Sequence, residues 1–461
     1  MSILAAYVLP HPPILLPEVG HGESHKVEQT ARAYAEVAAR VARLKPDVLL
    51  VASPHTTLYA DYFHISPGVE ASGSLEQYHA PGVHLEVTYD SELARRIEKQ
   101  ARGWQLPAGT MGTRDEKLDH GTLIPLWLLR SVGVACKVVR IGLSGLPALS
   151  HYHLGKCISE AVESLNRRAV FIASGDLSHK LAAGGPYGFA SEGPIFDRRL
   201  TAALAAGDFE ALLSMPPDLS EAAAECGLRS FQMMAGVLDK KSVTHELLSY
   251  EGPFGVGYAV AAFEVMGTDG ERAFGERFER ARKQTLRKIK ESEDAYVRLA
   301  RLSLETYVST GERAHLPDNL PAELTHTRAG VFVSIKKDGQ LRGCIGTISP
   351  AAESVGMEII GNAVSAASHD PRFEPVREDE LEDLVYSVDV LCEPELVTSD
   401  AQLDPGRYGV IVQTGARRGL LLPDLEGIDT VAKQLEVARR KAGIGPNENV
   451  KMARFEVVRH H

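Results

Sequence analysis

Over the first 265 positions, short unbroken apolar runs alternate with longer stretches of helical period. The runs at Ile3–Leu9 and at residues 47–52, 138–141 and 169–173 are aliphatic or β-branched and end in turn residues. Between them, Glu28–Leu44 and residues 91–102, 123–132 and 155–166 repeat their apolar positions every three to four residues, as an amphipathic helix does. Residues 196–206 and 229–238 predict two more helices, and 247–250 and 257–263 predict closing strands around a glycine-rich turn. Strand–helix alternation of this kind predicts an α/β domain with a central sheet and flanking helices.

The pattern breaks at GTDGERAFGERFERARKQTLRKIKESE, a charged stretch with few branched residues. It reads as a linker or solvated helix over 268–294, separating a first domain, 1–267, from a second, 295–461. The second opens with an amphipathic helix at 295–309. It then mixes strands (330–336, Leu384–Leu391, 408–413) with helices (353–365, 430–442), an α+β pattern without repeats.

Composition narrows the function classes. The chain has 461 residues and a formal charge of −11, so nothing marks it as a general nucleic-acid binder. Its five cysteines, Cys136, Cys157, Cys226, Cys344 and Cys392, are widely spaced, fitting neither a disulfide framework nor the CxxxCxxC cluster run of a radical-SAM protein. The N-terminal apolar run lacks a basic flank and is broken by Pro10, Pro12 and Pro13, so it reads as a strand rather than a signal peptide. No membrane span is expected, and the expected setting is the reducing cytoplasm.

Three predicted strands of the first domain end in histidine motifs: AAYVLPHPP at His11, DVLLVASPH at His55, and AVFIASGDLSH at Asp176 and His179. In open α/β sheets, ligands gather outside the carboxyl ends of the strands, so these segments would deliver imidazoles to one rim. A single such histidine is most often structural; three at equivalent positions favour a site. Fe(II) that binds both O2 and an organic substrate needs few protein ligands and open positions, which two histidines and one further group supply. A nearby histidine off the metal suits acid/base work.

The motifs HPPILLPE, SPHTTLYADYF, LDHGTLIPLWLL and SGDLSH, with the later SYEGPFGVGYAVAAF, resemble the class III extradiol dioxygenase B-subunit (LigB-like) fold, which includes the Memo proteins, over about residues 3–265. The resemblance implies that His11 and His55 are metal ligands, that His179 is the acid/base with Asp176 beside it, and that His120 lines the substrate pocket. For the third ligand it leaves two adjacent choices in AAAECGLRSFQMM: Glu225, where the dioxygenases have a glutamate, and Cys226, where Memo proteins have a cysteine. An oxygen ligand suits Fe(II) better than a soft thiolate, which favours Glu225. Zinc or manganese is the alternative to iron. His21, His25, His64, His79 and His84 read as loop residues, His151 and His153 as surface positions near a helix start, and His460 and His461 as solvated.

In the second half, GQLRGCIGTISP, AASHDPRFEPVREDEL and the segment 409–444 resemble the Ammecr family over about 295–459. That resemblance implies a fold and no reaction. Gly343 and Gly346 around Cys344 permit a tight turn, Arg342 supplies charge, and Cys344 with His369 could form a thiolate–imidazole pair. A packed cysteine and a structural Arg342 ion pair are the preferred reading.

The two resemblances together are similar to the fused A component of the AmmeMemoRadiSam systems, implying a separate radical-SAM protein as partner. The function expected on these grounds is a non-haem Fe(II) dioxygenase-type oxidoreductase using O2 on an aromatic, catechol-like substrate. The rival expectation is a metal-containing binding or scaffold protein. Homo-oligomerisation is open on sequence.

Overall fold

A computed structural model describes residues 2–114, 116–425 and 427–461. They fall into two compact units, Met1–Ala281 and Arg282–His461.

The first unit is built on a six-stranded sheet of β1 (Ile3–Leu9), β2 (Val48–Ser53), β3 (Lys137–Gly142), β4 (Ala169–Ser174), β5 (Lys241–Glu251) and β6 (Tyr258–Thr268). Their order is β3-β2-β4-β1-β6-β5. The first four run parallel, and β6 and β5 complete the sheet antiparallel. Strands β1, β2 and β4 are buried along their whole length, which is why they appear in the sequence as continuous apolar runs.

Alternate side chains of the sheet feed two cores. Ala6, Val8 and Phe171 pack on one face with α2 (Ser91–Gly103), α4 (Ala148–Ser164), α5 (Glu192–Ala206) and α6 (Leu228–Val237). Tyr7, Leu9 and Ile172 pack on the other with α1 (Glu28–Leu44) and α3 (His120–Arg130). The charged segment read as a linker or solvated helix folds as a short 3-10 turn and a 19-residue helix, α7 (Phe274–Ser292), within which the two units divide.

After the end of α7, the second unit continues with α8 (Ala295–Thr310) and holds two four-stranded sheets. One joins β7 (Val331–Lys337), β8 (Gln340–Gly346), β9 (Leu384–Leu391) and, from the C-terminal end, Val457–His460. The other joins Glu395–Val397, Gly409–Thr414, Arg417–Leu421 and Lys451–Phe455. α9 (Val355–Ser368) packs with α8 against the first sheet, and α10 (Val431–Lys441) against the second.

Several histidine expectations change. His64 lies buried in a two-residue strand rather than a loop, and His151 is buried rather than a surface cap. Its Nε2 accepts from the Ser144 amide at 3.3 Å, and burial pushes it down to about 3. His460 stacks on Tyr296, ring centres 3.7 Å apart, instead of lying in solvent.

Candidate metal centre

The parallel pairing sets the site. Leu9 of β1 pairs with Ser174 of β4, and Ala52 of β2 with Ala173, so the three neighbouring strands end at one level. His11, His55 and Asp176 each follow the last residue of their strand by two positions. Equal spacing beyond aligned strand ends delivers them to the same rim.

A fourth segment closes over that rim. Gly175 and Gly227 approach so closely that a Cβ on Gly175 would stand 2.1 Å from the Gly227 Cα. The Gly227 amide donates to the Asp176 carbonyl at 3.0 Å, and the Ser230 hydroxyl to the Ser174 carbonyl at 2.9 Å. Ala224 adopts the left-handed conformation, φ 52°, and turns the chain between α6 and the short helix before it. Cys226 is thereby brought to His11, with Sγ 3.8 Å from its Nε2.

One donor atom from each of His11, His55 and Cys226 lies within 4.8 Å of the others. The two imidazole Nε2 atoms are 2.9 Å apart. Donors bound about 2.0–2.3 Å from one ion stand roughly 3–4 Å from each other, so the spacing fits a shared cation. The protonation pattern agrees. The Ser174 hydroxyl donates to the Gly121 carbonyl at 2.6 Å, leaving its oxygen to accept at 2.9 Å from His11 Nδ1–H. That places the proton of neutral His11 on Nδ1 and the lone pair on Nε2, aimed at the other two donors. Burial and the neighbouring His55 hold His11 neutral, pushed down to about 3.

Glu225, the favoured third ligand on sequence, is not in this cluster. Its carboxylate turns back to accept from the Leu228 amide at 2.7 Å at the start of α6, and burial pushes it up to about 7. Adjacent side chains in the turn diverge, and the sulfur is the one that faces the imidazoles. Burial likewise raises the Cys226 thiol, so in the absence of a cation it is held protonated.

His120 begins α3 behind Asp119, whose carboxylate accepts from the Thr122 amide at 2.9 Å and the Ser53 hydroxyl at 2.6 Å. Its ring stacks on His55 at 4.1 Å and meets His11 edge-on at 5.2 Å. Desolvation, with His11 and His55 nearby, pushes it down to about 3. Asp176 is buried, with its carboxylate accepting from the His11 amide at 2.9 Å, and burial pushes it up to about 6. His179 hydrogen-bonds the Ala224 carbonyl through Nδ1, which leaves Nε2 as the basic nitrogen. Tyr187 lies against the His179 ring at 5.0 Å and Tyr78 against His120 at 5.7 Å, and sequence reading singled out neither.

In the second unit, the Cys344–His369 pair, the less favoured of the two sequence readings, does not form among the described contacts. His369 Nδ1 bonds Ser368 Oγ at 2.8 Å, whereas the Cys344 amide donates to Asp370 at 2.9 Å. Arg342 makes a two-pronged ion pair with Glu380 at 2.9 and 3.2 Å and donates to the Glu374 carbonyl, a structural role.

A mostly parallel α/β sheet that carries an imidazole–imidazole–thiol cluster beyond its strand ends is a layout able to hold a divalent cation. Residues 5–261 match the family described as the catalytic LigB subunit of aromatic ring-opening dioxygenase, and residues 297–460 match AMMECR1. The chain belongs to the family that joins these two domains. A protein of Clostridium acetobutylicum is 43% identical to it over 469 residues, spanning 100% of this chain and 99% of its own. A Thermotoga maritima protein is 49% identical over 170 residues, 36% of this chain and 98% of its own. A crystal structure of an uncharacterized Pyrococcus horikoshii protein aligns with TM-score 0.34 at 34% identity, covering 36% of this chain and 88% of that one.

Proposed function

We propose that the first unit is a metal-dependent, dioxygenase-type oxidoreductase acting on an aromatic, catechol-like ring, with the ion held by His11, His55 and Cys226. The observation that carries this reading is the convergence of those three donors, with the His11 lone pair directed into the cluster. Fe(II) bound there would supply open positions and an electron source for O2 chemistry; the sulfur donor moves the preference away from manganese.

The chain's own groups do the rest. His179 accepts a substrate hydroxyl proton on Nε2 while its Nδ1–H stays on the Ala224 carbonyl. His120, neutral and stacked on His55, and the Tyr78 ring set at 68° to it offer two aromatic walls for a ring substrate. Asp176 fixes the His11 backbone.

The test is anaerobic purification, elemental analysis and O2 uptake with a panel of catechols. About one iron per chain is expected, kept in Glu225→Gln and lost in His11→Ala, His55→Ala and Cys226→Ala. Uptake is expected to vanish in His179→Ala with the iron retained.

A thiol in place of a carboxylate favours a second reading, a metal-containing scaffold without turnover; iron retention with no uptake on any ring substrate would select it. We further propose that a separate radical-SAM protein is the physiological partner, supported by the pairing of the two domains in one chain. Co-purification of the two proteins from one cell tests this.

A further inference from the structure

Where β6 enters the sheet, it brings one more side chain to the rim that holds the histidines. Val8 of β1 pairs antiparallel with Ala261 of β6, and the same register carried three residues on sets Tyr258 beside His11. The residue before it is tied to the segment between Asp176 and His179. The Gly257 amide donates to the Ser178 carbonyl at 2.8 Å, and the Gly257 carbonyl accepts from the Leu177 amide at 2.8 Å. Tyr258 belongs to the same face of the sheet, and the same core, as Tyr7 and Leu9 of β1 and Ile172 of β4.

Tyr258 is only 5% exposed. A buried tyrosine hydroxyl ordinarily finds a hydrogen-bond partner. Two others in this core do so: Tyr34 donates to the Pro10 carbonyl, and Tyr7 to Glu264 at 3.5 Å. Among the described residues the Tyr258 hydroxyl has none. The ionisable groups around it are Asp176, Tyr187 and Cys226, which come from three other segments of the centre. Burial, and then the Asp176 carboxylate, raise its phenol above an ordinary value of about 10, so at neutral pH it carries its hydrogen. A donor with no acceptor in the protein, at the edge of a metal centre, suits an oxygen anion that arrives with a ligand.

We propose that Tyr258 is a substrate-binding residue of this centre, its hydroxyl donating to the ring oxygen that His179 leaves ionised. The assignment rests on the ring-substrate reading given above and adds to it the group that meets the charge. His179 takes the substrate hydroxyl proton on Nε2, and the negative oxygen left behind accepts from the Tyr258 O–H. The tyrosine keeps its own proton throughout. Phenylalanine at this position therefore removes one hydrogen bond and leaves the base and the metal ligands in place.

The iron-loaded, full-length wild type and Tyr258→Phe are titrated without O2 with 4-nitrocatechol, whose visible band reports its charge state when bound. The variant is expected to keep about one iron per chain and the wild-type unfolding temperature. Its dissociation constant for the dye is expected to rise about tenfold. The pH at which the bound dye ionises is expected to move up by about one unit, because the anion has lost a donor. Equal affinity and an unmoved band in Tyr258→Phe overturn the assignment while the ring-substrate reading stands. Loss of iron or of thermal stability in the variant gives the hydroxyl a structural role and overturns it too. A wild type that binds iron and no dye removes the ring-substrate reading, and this assignment with it.

Discussion

At the residue scale, the direction of one proton decides whether His11 can bind a cation. Ser174 gives its hydrogen to the Gly121 carbonyl and therefore accepts from His11 Nδ1, which forces the lone pair onto Nε2. Ser174→Ala removes that constraint without touching a ligand. The expected outcome is metal affinity weakened by roughly ten- to a hundredfold, measured by competition with a chelator, with the unfolding temperature nearly unchanged. The placing of His11 and His55 was legible in the sequence because each lies two positions past the end of a buried strand. The choice between Glu225 and Cys226 was not legible. The preference for oxygen around iron pointed to Glu225. It took the left-handed turn at Ala224 and the pull of the Leu228 amide to show that the carboxylate is spent on starting a helix.

At the scale of elements, the centre depends on how closely the 224–227 loop can approach the end of β4. Two glycines face each other there, and a methyl group at residue 175 has no room before the Gly227 backbone. Gly175→Ala is expected to destabilise the first unit by about 2–3 kcal/mol and to push Cys226 off the cluster, so that metal content falls together with the denaturation midpoint. Most of the first unit's elements could be read in advance, since β1, β2 and β4 are buried on both faces and α1 carries a clear apolar stripe. The hairpin Glu70–Leu75 with Ala80–Thr88 was missed: it is half-exposed, holds glycine and proline, and offers no apolar run. His64 was misplaced for a related reason, because a two-residue strand is too short to have a period. The charged stretch before residue 294 carries so few apolar residues that a linker and a solvated helix read alike, and the helix is the one that forms.

At the scale of the whole molecule, two buried carboxyls, one in each unit, are expected to answer pH with opposite sign. In the second, burial pushes the Glu380 carboxyl up, but bonds from Arg342, the Arg377 amide and Lys337 outweigh it and hold the group at about 2. A carboxylate held below its unfolded value of roughly 4.5 stabilises the fold above that pH and loses the contribution as pH falls toward 2. The loss is on the order of 2–3 kcal/mol, and Arg342→Ala should abolish most of it in thermal melts run across that window. In the first unit, burial raises Asp197 to about 6, so its contribution is fully present below about 4 and is lost as pH rises through 6. Among the described residues, no helix is long and apolar enough to cross a membrane.

The neighbourhood of Glu225 and Cys226 also says something about how such a centre can be retuned. Hard and soft donors occupy consecutive codons on a hinge outside the sheet, so trading one chemistry for the other asks nothing of the scaffold's hydrophobic interior. Cys226→Asp would offer an oxygen from the position the sulfur now holds, and a designer could shift the metal preference of this protein while leaving every strand where it is.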